Sequence, residues 1–133
     1  MREEARRWLV QGDADLAHAR ASIQTGFYFA AAFACHQAVE KWLKGAIIHL
    51  RRTLPPKTHN LVELGRALEV PEDVMSDLRL LNPEYATSRY PDAANGVPAE
   101  NYDERRANML LQAAERVQRW VTSALTGSGW TPS

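Results

Sequence analysis

Apolar residues recur along most of this chain at the three- and four-residue spacing of helices, and nowhere do they alternate as in a strand. Trp8, Leu9, Leu16, Ala19 and Ile23 fall near one side of a first helix over residues 3–25, which Gly26 stops. A second helix follows over 27–51. A third opens at Thr58 as N-cap and carries Leu61, Leu64 and Leu68. A fourth opens at Pro71, with Glu72 and Asp73 where negative charge offsets the helix dipole, and carries Val74, Leu78 and Leu81. The stretch 84–100 contains Ser88-Arg89-Tyr90-Pro91-Asp92 and Asn95-Gly96 and reads as loop. A last helix opens with Asn101-x-x-Glu104, a variant of the capping box, and repeats Leu110, Ala113, Val117, Trp120 and Ala124. The pattern predicts an all-α protein, an antiparallel up-and-down helical bundle of three long and two short helices. The short third and fourth are expected end to end along one wall. Residues 1–126 make one domain, and 127–133 a flexible C-terminal tail.

The second helix has little polar surface. Ala31, Ala34, Cys35, Ala38 and Gly45 share a broad face of small residues that lets a neighbouring helix come close. Its polar arc is Gln37, Glu40, Lys41, Lys44 and Arg51, fringed by Phe33, Ile47 and Ile48. Such a helix is either central or covered by another chain, and the fringe points to a homodimer or higher even oligomer with this helix near its interface.

Composition narrows the function. The formal net charge is +0, so the whole molecule is no general polyanion binder and any nucleic-acid role needs a local patch. One patch stands out: residues 41–59 hold five Lys or Arg and no Asp or Glu. The lone Cys35 cannot form an internal disulfide, which suits a reducing, cytoplasmic setting. The opening residues lack the apolar stretch of a signal peptide, and the longest apolar run, 27–35, is too short to span a bilayer. His18, His36 and His49 lack acidic, Cys or His neighbours at ligand spacing, and there is no Gly-rich phosphate loop or Ser-nucleophile signature. No metal and no cofactor are expected.

Three segments carry a family resemblance. Ala34-Cys35-His36-Gln37-Ala38-Val39-Glu40-Lys41-Trp42-Leu43-Lys44-Gly45 resembles the "xxQAxEKxLKA" helix of HEPN-domain proteins. Pro55-Pro56-Lys57-Thr58-His59-Asn60-Leu61, with Leu64, is similar to that family's "P-x-x-H-[DN]-L-x-x-L" turn, and Tyr85 with Arg89-Tyr90-Pro91-Asp92 to its "Y-x-x-x-RYPD" segment. The resemblance covers roughly residues 5–125. It implies an up-and-down helical bundle, often dimeric, and two classes of function. Many HEPN proteins bind a minimal nucleotidyltransferase encoded beside them or act as nucleotide- or RNA-binding accessory proteins. Others are metal-independent endoribonucleases of toxin–antitoxin or defence systems, using an Arg-x4–6-His motif at a dimer cleft.

Arg52 and His59 have the spacing of that motif. His59 would move a proton between the RNA 2′-hydroxyl and the leaving oxygen, and Arg52 would stabilise charge on the scissile phosphate. Departures stand against it: the spacer holds Pro55 and Pro56, Thr53 follows the Arg, and Leu61 stands two residues after His59 where the motif carries Tyr. The structural alternative has Arg51 and Arg52 offsetting a helix dipole and His59 inside the next helix's first turn. The expected binding residues are Gln37, Glu40, Lys44, Arg51, Lys57 and Arg89. Glu40 is expected to be buried, with Lys44 at the rim and Arg89 folding back from its loop to pair with the carboxylate.

Overall fold

The computed structural model of the chain describes residues 1–128; of the tail expected at 127–133, residues 129–133 lie outside the described residues, and Gly127 and Ser128 form the turn that ends the last helix. Among the described residues eight helices follow in order: α1 (Glu3–Gln24), α2 (Tyr28–Arg51), α3 (Leu61–Leu68), α4 (Glu72–Leu81), α5 (Glu84–Thr87), α6 (Pro91–Ala94), α7 (Pro98–Asn101) and α8 (Glu104–Thr126). No strand occurs among the described residues. The three long helices carry the bundle, and α2 is central: it packs on α1, α8 and α3 and touches α4, α5 and α7.

The α1–α2 hairpin turns at Gly26, whose φ of 81° is the left-handed conformation that glycine adopts without strain. Its two helices pack as small into large. Gly12 on α1 accepts the indole of Trp42, and Gly45 on α2 accepts Leu9. The residue numbers rise on one helix as they fall on the other, so the pair is antiparallel. The small-residue face of α2 thus has its close neighbour, with Ala31, Cys35 and Ala38 at zero exposure.

Chain direction corrects the expected third wall. After α2 an extended strap, residues 52–60, runs back along the helix it has just left. Then α3 descends beside α2, and α4 returns: the backbone N–H of Leu61 donates to the Asn82 side chain at 2.8 Å, so the start of α3 lies beside the end of α4. The two form a side-by-side hairpin and not an end-to-end row. The cause is local: Glu69, with φ 54°, caps α3 in the left-handed conformation, and Pro71 follows within two residues.

Two caps also differ from expectation. Asn60 and not Thr58 caps α3, its side chain accepting from the N–H groups of Val62 and Glu63, while Thr58 Oγ1 accepts from Asn60 N at 3.1 Å. Asp103 and not Asn101 caps α8, accepting from Arg106 N at 2.8 Å. The stretch 84–100 is three single-turn helices and not plain loop. Pro91 and Pro98 open two of them, at the position where a missing N–H costs nothing.

The fringe of α2 is largely covered by its own chain. Ile47 and Ile48 are buried within the protomer and Phe33 is half-buried. The physical demand that suggested a second chain on this helix is therefore largely met internally.

Replacing Gly12 by alanine places a Cβ about 2.5 Å from Trp42 Cδ1. Trp42 is buried and its Nε1 is tied to Asp13, so it cannot step aside. Gly12→Ala is expected to lower stability by about 1–2 kcal/mol in urea unfolding, overpacking exceeding the helix-propensity gain of alanine.

Candidate functional site

The site forms where the strap crosses α2. Glu40 sits at mid-helix with only 4% of its surface exposed. A buried carboxylate needs partners for both oxygens. Lys44, one turn on, donates to Oε2 at 3.1 Å and is itself buried, not at the rim. His59 meets Oε1 through Nδ1 at 2.8 Å. The expected Glu40–Arg89 pair does not form: His59 is the second group that Glu40 requires.

The hydrogen bonds fix both imidazole tautomers. An ionised carboxylate only accepts, so His59 Nδ1 carries the proton and, in the neutral ring, Nε2 keeps a lone pair. The backbone carbonyl of His59 also only accepts, so His36 Nε2 donates to it, at 3.0 Å. His36 Nδ1 then accepts from Gln37 Nε2 at 3.3 Å. His36 has no exposed surface, and burial pushes its pKa down to about 4, against the pull of nearby Glu40. It is therefore neutral at pH 7 and acts as a strut holding the strap.

Tyr85 from α5 completes the frame. Its ring stacks on His59 at 4.0 Å between centroids and 13° between planes. The helix that carries it is anchored next door: buried Glu84 accepts from the Tyr102 hydroxyl and from Arg106, and burial with that hydrogen bond pushes Tyr102 up to about 12. Arg89 has a different task from the one expected. Its Nε donates to the Tyr85 carbonyl at 2.9 Å, and its guanidinium lies 4.2, 4.5 and 4.7 Å from the ring centroids of Phe33, Tyr85 and Tyr90. Aromatic faces meet its charge, and its second terminal nitrogen is buried without an acceptor among the described residues.

Beside this cluster opens a cavity of about 340 Å³ lined by Glu4, Trp8, Lys44, Leu54, Pro55, Pro56, Lys57, Thr58 and His59. Lys44 Nζ lies 5.4 Å from the Trp8 ring centroid, so its cation faces both a carboxylate and an indole. The structure thus brings Glu40, Lys44, Lys57 and His59 together, with Gln37 behind them. It does not bring Arg52 into this cavity; that exposed residue ends α2 with φ 54°. Arg51 turns away to the end of α3, donating to the carbonyls of Ala67 and Leu68 at 3.1 and 3.0 Å. Trp8, Tyr85 and His36 are members that sequence reasoning missed. His36, Glu40 and Lys44 repeat every four residues on an otherwise apolar helix, a signal present in the sequence. Nothing local marked Trp8, and Tyr85 stood out only as part of the segment similar to the family's.

The all-helical bundle with a strap carrying His59 across its central helix defines the class of protein. A family model for the HEPN domain matches residues 5–124, and the chain belongs to the HEPN domain family. Among solved structures it is similar to TT1696 from Thermus thermophilus, with 34% identity, a TM-score of 0.83, and 92% of this chain and 99% of that chain covered. It is also similar to ST0689, an archaeal HEPN homologue, with 31% identity, a TM-score of 0.78 and coverage of 92% and 98%. A third similar structure is an HEPN domain protein, TM0613 from Thermotoga maritima, with 25% identity, a TM-score of 0.71 and coverage of 90% and 98%. No curated protein matches the chain. Among the described residues, no helix is long and apolar enough to cross a membrane.

Two measurements probe the cluster. Glu40→Ala leaves Lys44 buried without its anion and is expected to cost about 3–5 kcal/mol in urea unfolding. The double variant Glu40→Leu with Lys44→Met should recover much of that loss. Acid stability tests His36. Its folded pKa, about 4, lies below the ordinary 6.5, so the unfolded chain binds the extra proton between these values. Stability should therefore fall as pH drops from about 6.5 to about 4, by up to about 3 kcal/mol from this group, and His36→Gln should flatten that slope.

Proposed function

We propose that the chain is a HEPN-type binding module whose cavity beside His59 receives the phosphate-bearing end of a nucleotide or of an RNA strand. The observation that carries this reading is the buried Glu40–Lys44 pair with His59 closing on it at the cavity wall. Lys44 spends one of its three N–H donors on Glu40, and neither of the other two makes a hydrogen bond within the described residues. Lys57 and the half-exposed His59 ring flank the same space, so charge and donors face a volume suited to a small ligand. In this role the module works as a homo-oligomer beside a nucleotidyltransferase, as the family resemblance implies. Phe27, Leu54 and Tyr90, exposed to 57, 75 and 47%, offer apolar surface for such contacts.

One observation favours a second reading, a metal-independent endoribonuclease. With Nδ1 tied to Glu40, His59 turns Nε2 away from the carboxylate, the arrangement of a carboxylate-oriented general base. Arg52 would then serve from another protomer.

Isothermal titration of the full chain with pyrophosphate and with a short single-stranded oligoribonucleotide tests the first reading. Both should bind, more weakly as salt rises, and Lys57→Ala should weaken both by about tenfold. Absence of binding at low salt would sink it. The second reading expects RNA cleavage in EDTA that His59→Ala abolishes; equal cleavage by the two proteins would remove His59 from the chemistry.

A further inference from the structure

The cavity beside His59 shares Glu4 and Trp8 with an adjoining bay of about 210 Å³, lined also by Arg7, Gln11 and Lys41. Glu4, Arg7, Trp8 and Gln11 are spaced i, i+3, i+4 and i+7, one face of α1, and Lys41 comes from the facing surface of α2. Contacts with neighbours engage Lys41 and one N–H of Gln11, while among the described residues the exposed Arg7 guanidinium pairs only with Glu3, at 3.6 Å. Lys41 Nζ binds Asp15 and Gln37, and Gln11 Nε2 donates to Asp15 Oδ1 at 3.1 Å. The acceptors remain. Gln11 Oε1 has no hydrogen bond, and the Glu4 carboxylate has neither a hydrogen bond nor an ion pair with any described residue. The bay therefore presents an indole beside the unspent acceptors of Glu4 and Gln11, with the Arg7 guanidinium at its edge, next to a cavity that holds Lys44, Lys57 and His59 and shares Glu4. Lys44 lies over the Trp8 ring, 5.4 Å from its centroid, and the same ring lines the bay.

We infer that this bay binds a nucleobase stacked on Trp8 and selected by Glu4, with the ligand's phosphate in the adjoining Lys44–Lys57–His59 cavity. The inference rests on the phosphate reading above and adds the base and its specificity. A carboxylate only accepts, so it favours a base edge rich in N–H donors. Guanine suits it best, because its N1–H and 2-amino group form a parallel donor pair that one carboxylate meets with two bonds. Adenine and cytosine offer a single amino group. Uracil presents one N–H between two carbonyl oxygens, which the carboxylate repels. Base–aromatic stacking adds affinity that every base shares, so Trp8 sets strength and Glu4 sets choice.

Titration calorimetry with GMP, UMP and pyrophosphate on the wild-type chain tests this. GMP is expected to bind at least about tenfold tighter than UMP. Glu4 is exposed on the first turn of α1, so Glu4→Gln keeps the fold, and it should close most of that gap. Trp8→Leu should weaken GMP more than pyrophosphate, whereas Trp8→Phe, which retains a stacking face, should not. Equal binding of GMP and UMP, or an undiminished gap in Glu4→Gln, overturns the inference. If pyrophosphate binds and no nucleotide binds more tightly, the base bay is wrong and the phosphate reading stands. If pyrophosphate fails as well, both fall.

Discussion

A single buried carboxylate organises this molecule. Glu40 lies at the middle of the central helix, where water does not reach it, and an uncompensated charge there would cost several kcal/mol. Lys44 satisfies one oxygen from the same helix. The other oxygen needs a donor from elsewhere, and His59 supplies it, which obliges the chain after α2 to turn back along the helix. His36 clamps the backbone of that strap and Tyr85 stacks on its imidazole, so α5 must also dock at this level. The path of the strap, the position of α5 and the cavity between strap and α1 follow from where one charge was buried.

The same arrangement explains why ordering and binding chemistry coincide here. A salt bridge inside a bundle is weak evidence for stability, since apolar residues of similar volume often do as well. Its advantage is directional: a carboxylate tied to two different donors specifies which way the strap runs. The same contacts leave His59 with one ring nitrogen committed to Glu40, and leave Lys44 with donors to spare beside an open cavity. A structural charge network that retains unspent donors beside a cavity has the hydrogen-bonding capacity that an anion would use.

Most helices were legible because burial imposes their period. Leu61, Leu64 and Leu68, or Leu110, Ala113 and Val117, must repeat at helical spacing to share a core, and all of them are buried. Caps were read less well, because Thr58, Asn60, Asn101 and Asp103 are chemically alike and only backbone geometry selects among them. Single-turn helices at 84–100 lack the length to display a period. The pairing of Glu40 went to His59 and not Arg89 because the strap carries His59 along α2, while the Arg89 guanidinium lies against three aromatic rings.

What the sequence by itself determined is the all-helical class, the scant polar surface of α2, the requirement that Glu40 find partners and the HEPN resemblance. These follow from local spacing and from the cost of burying charge, which any fold must respect. The tertiary structure decided which partners those are. It turned α3 and α4 into a hairpin, covered Ile47 and Ile48 from within the protomer, sent Arg51 to the end of α3 and kept Arg52 out of the His59 cavity. It also brought Trp8, far away in sequence, against Lys44. Such meetings depend on the directions in which distant segments return, and one-dimensional spacing carries no record of direction.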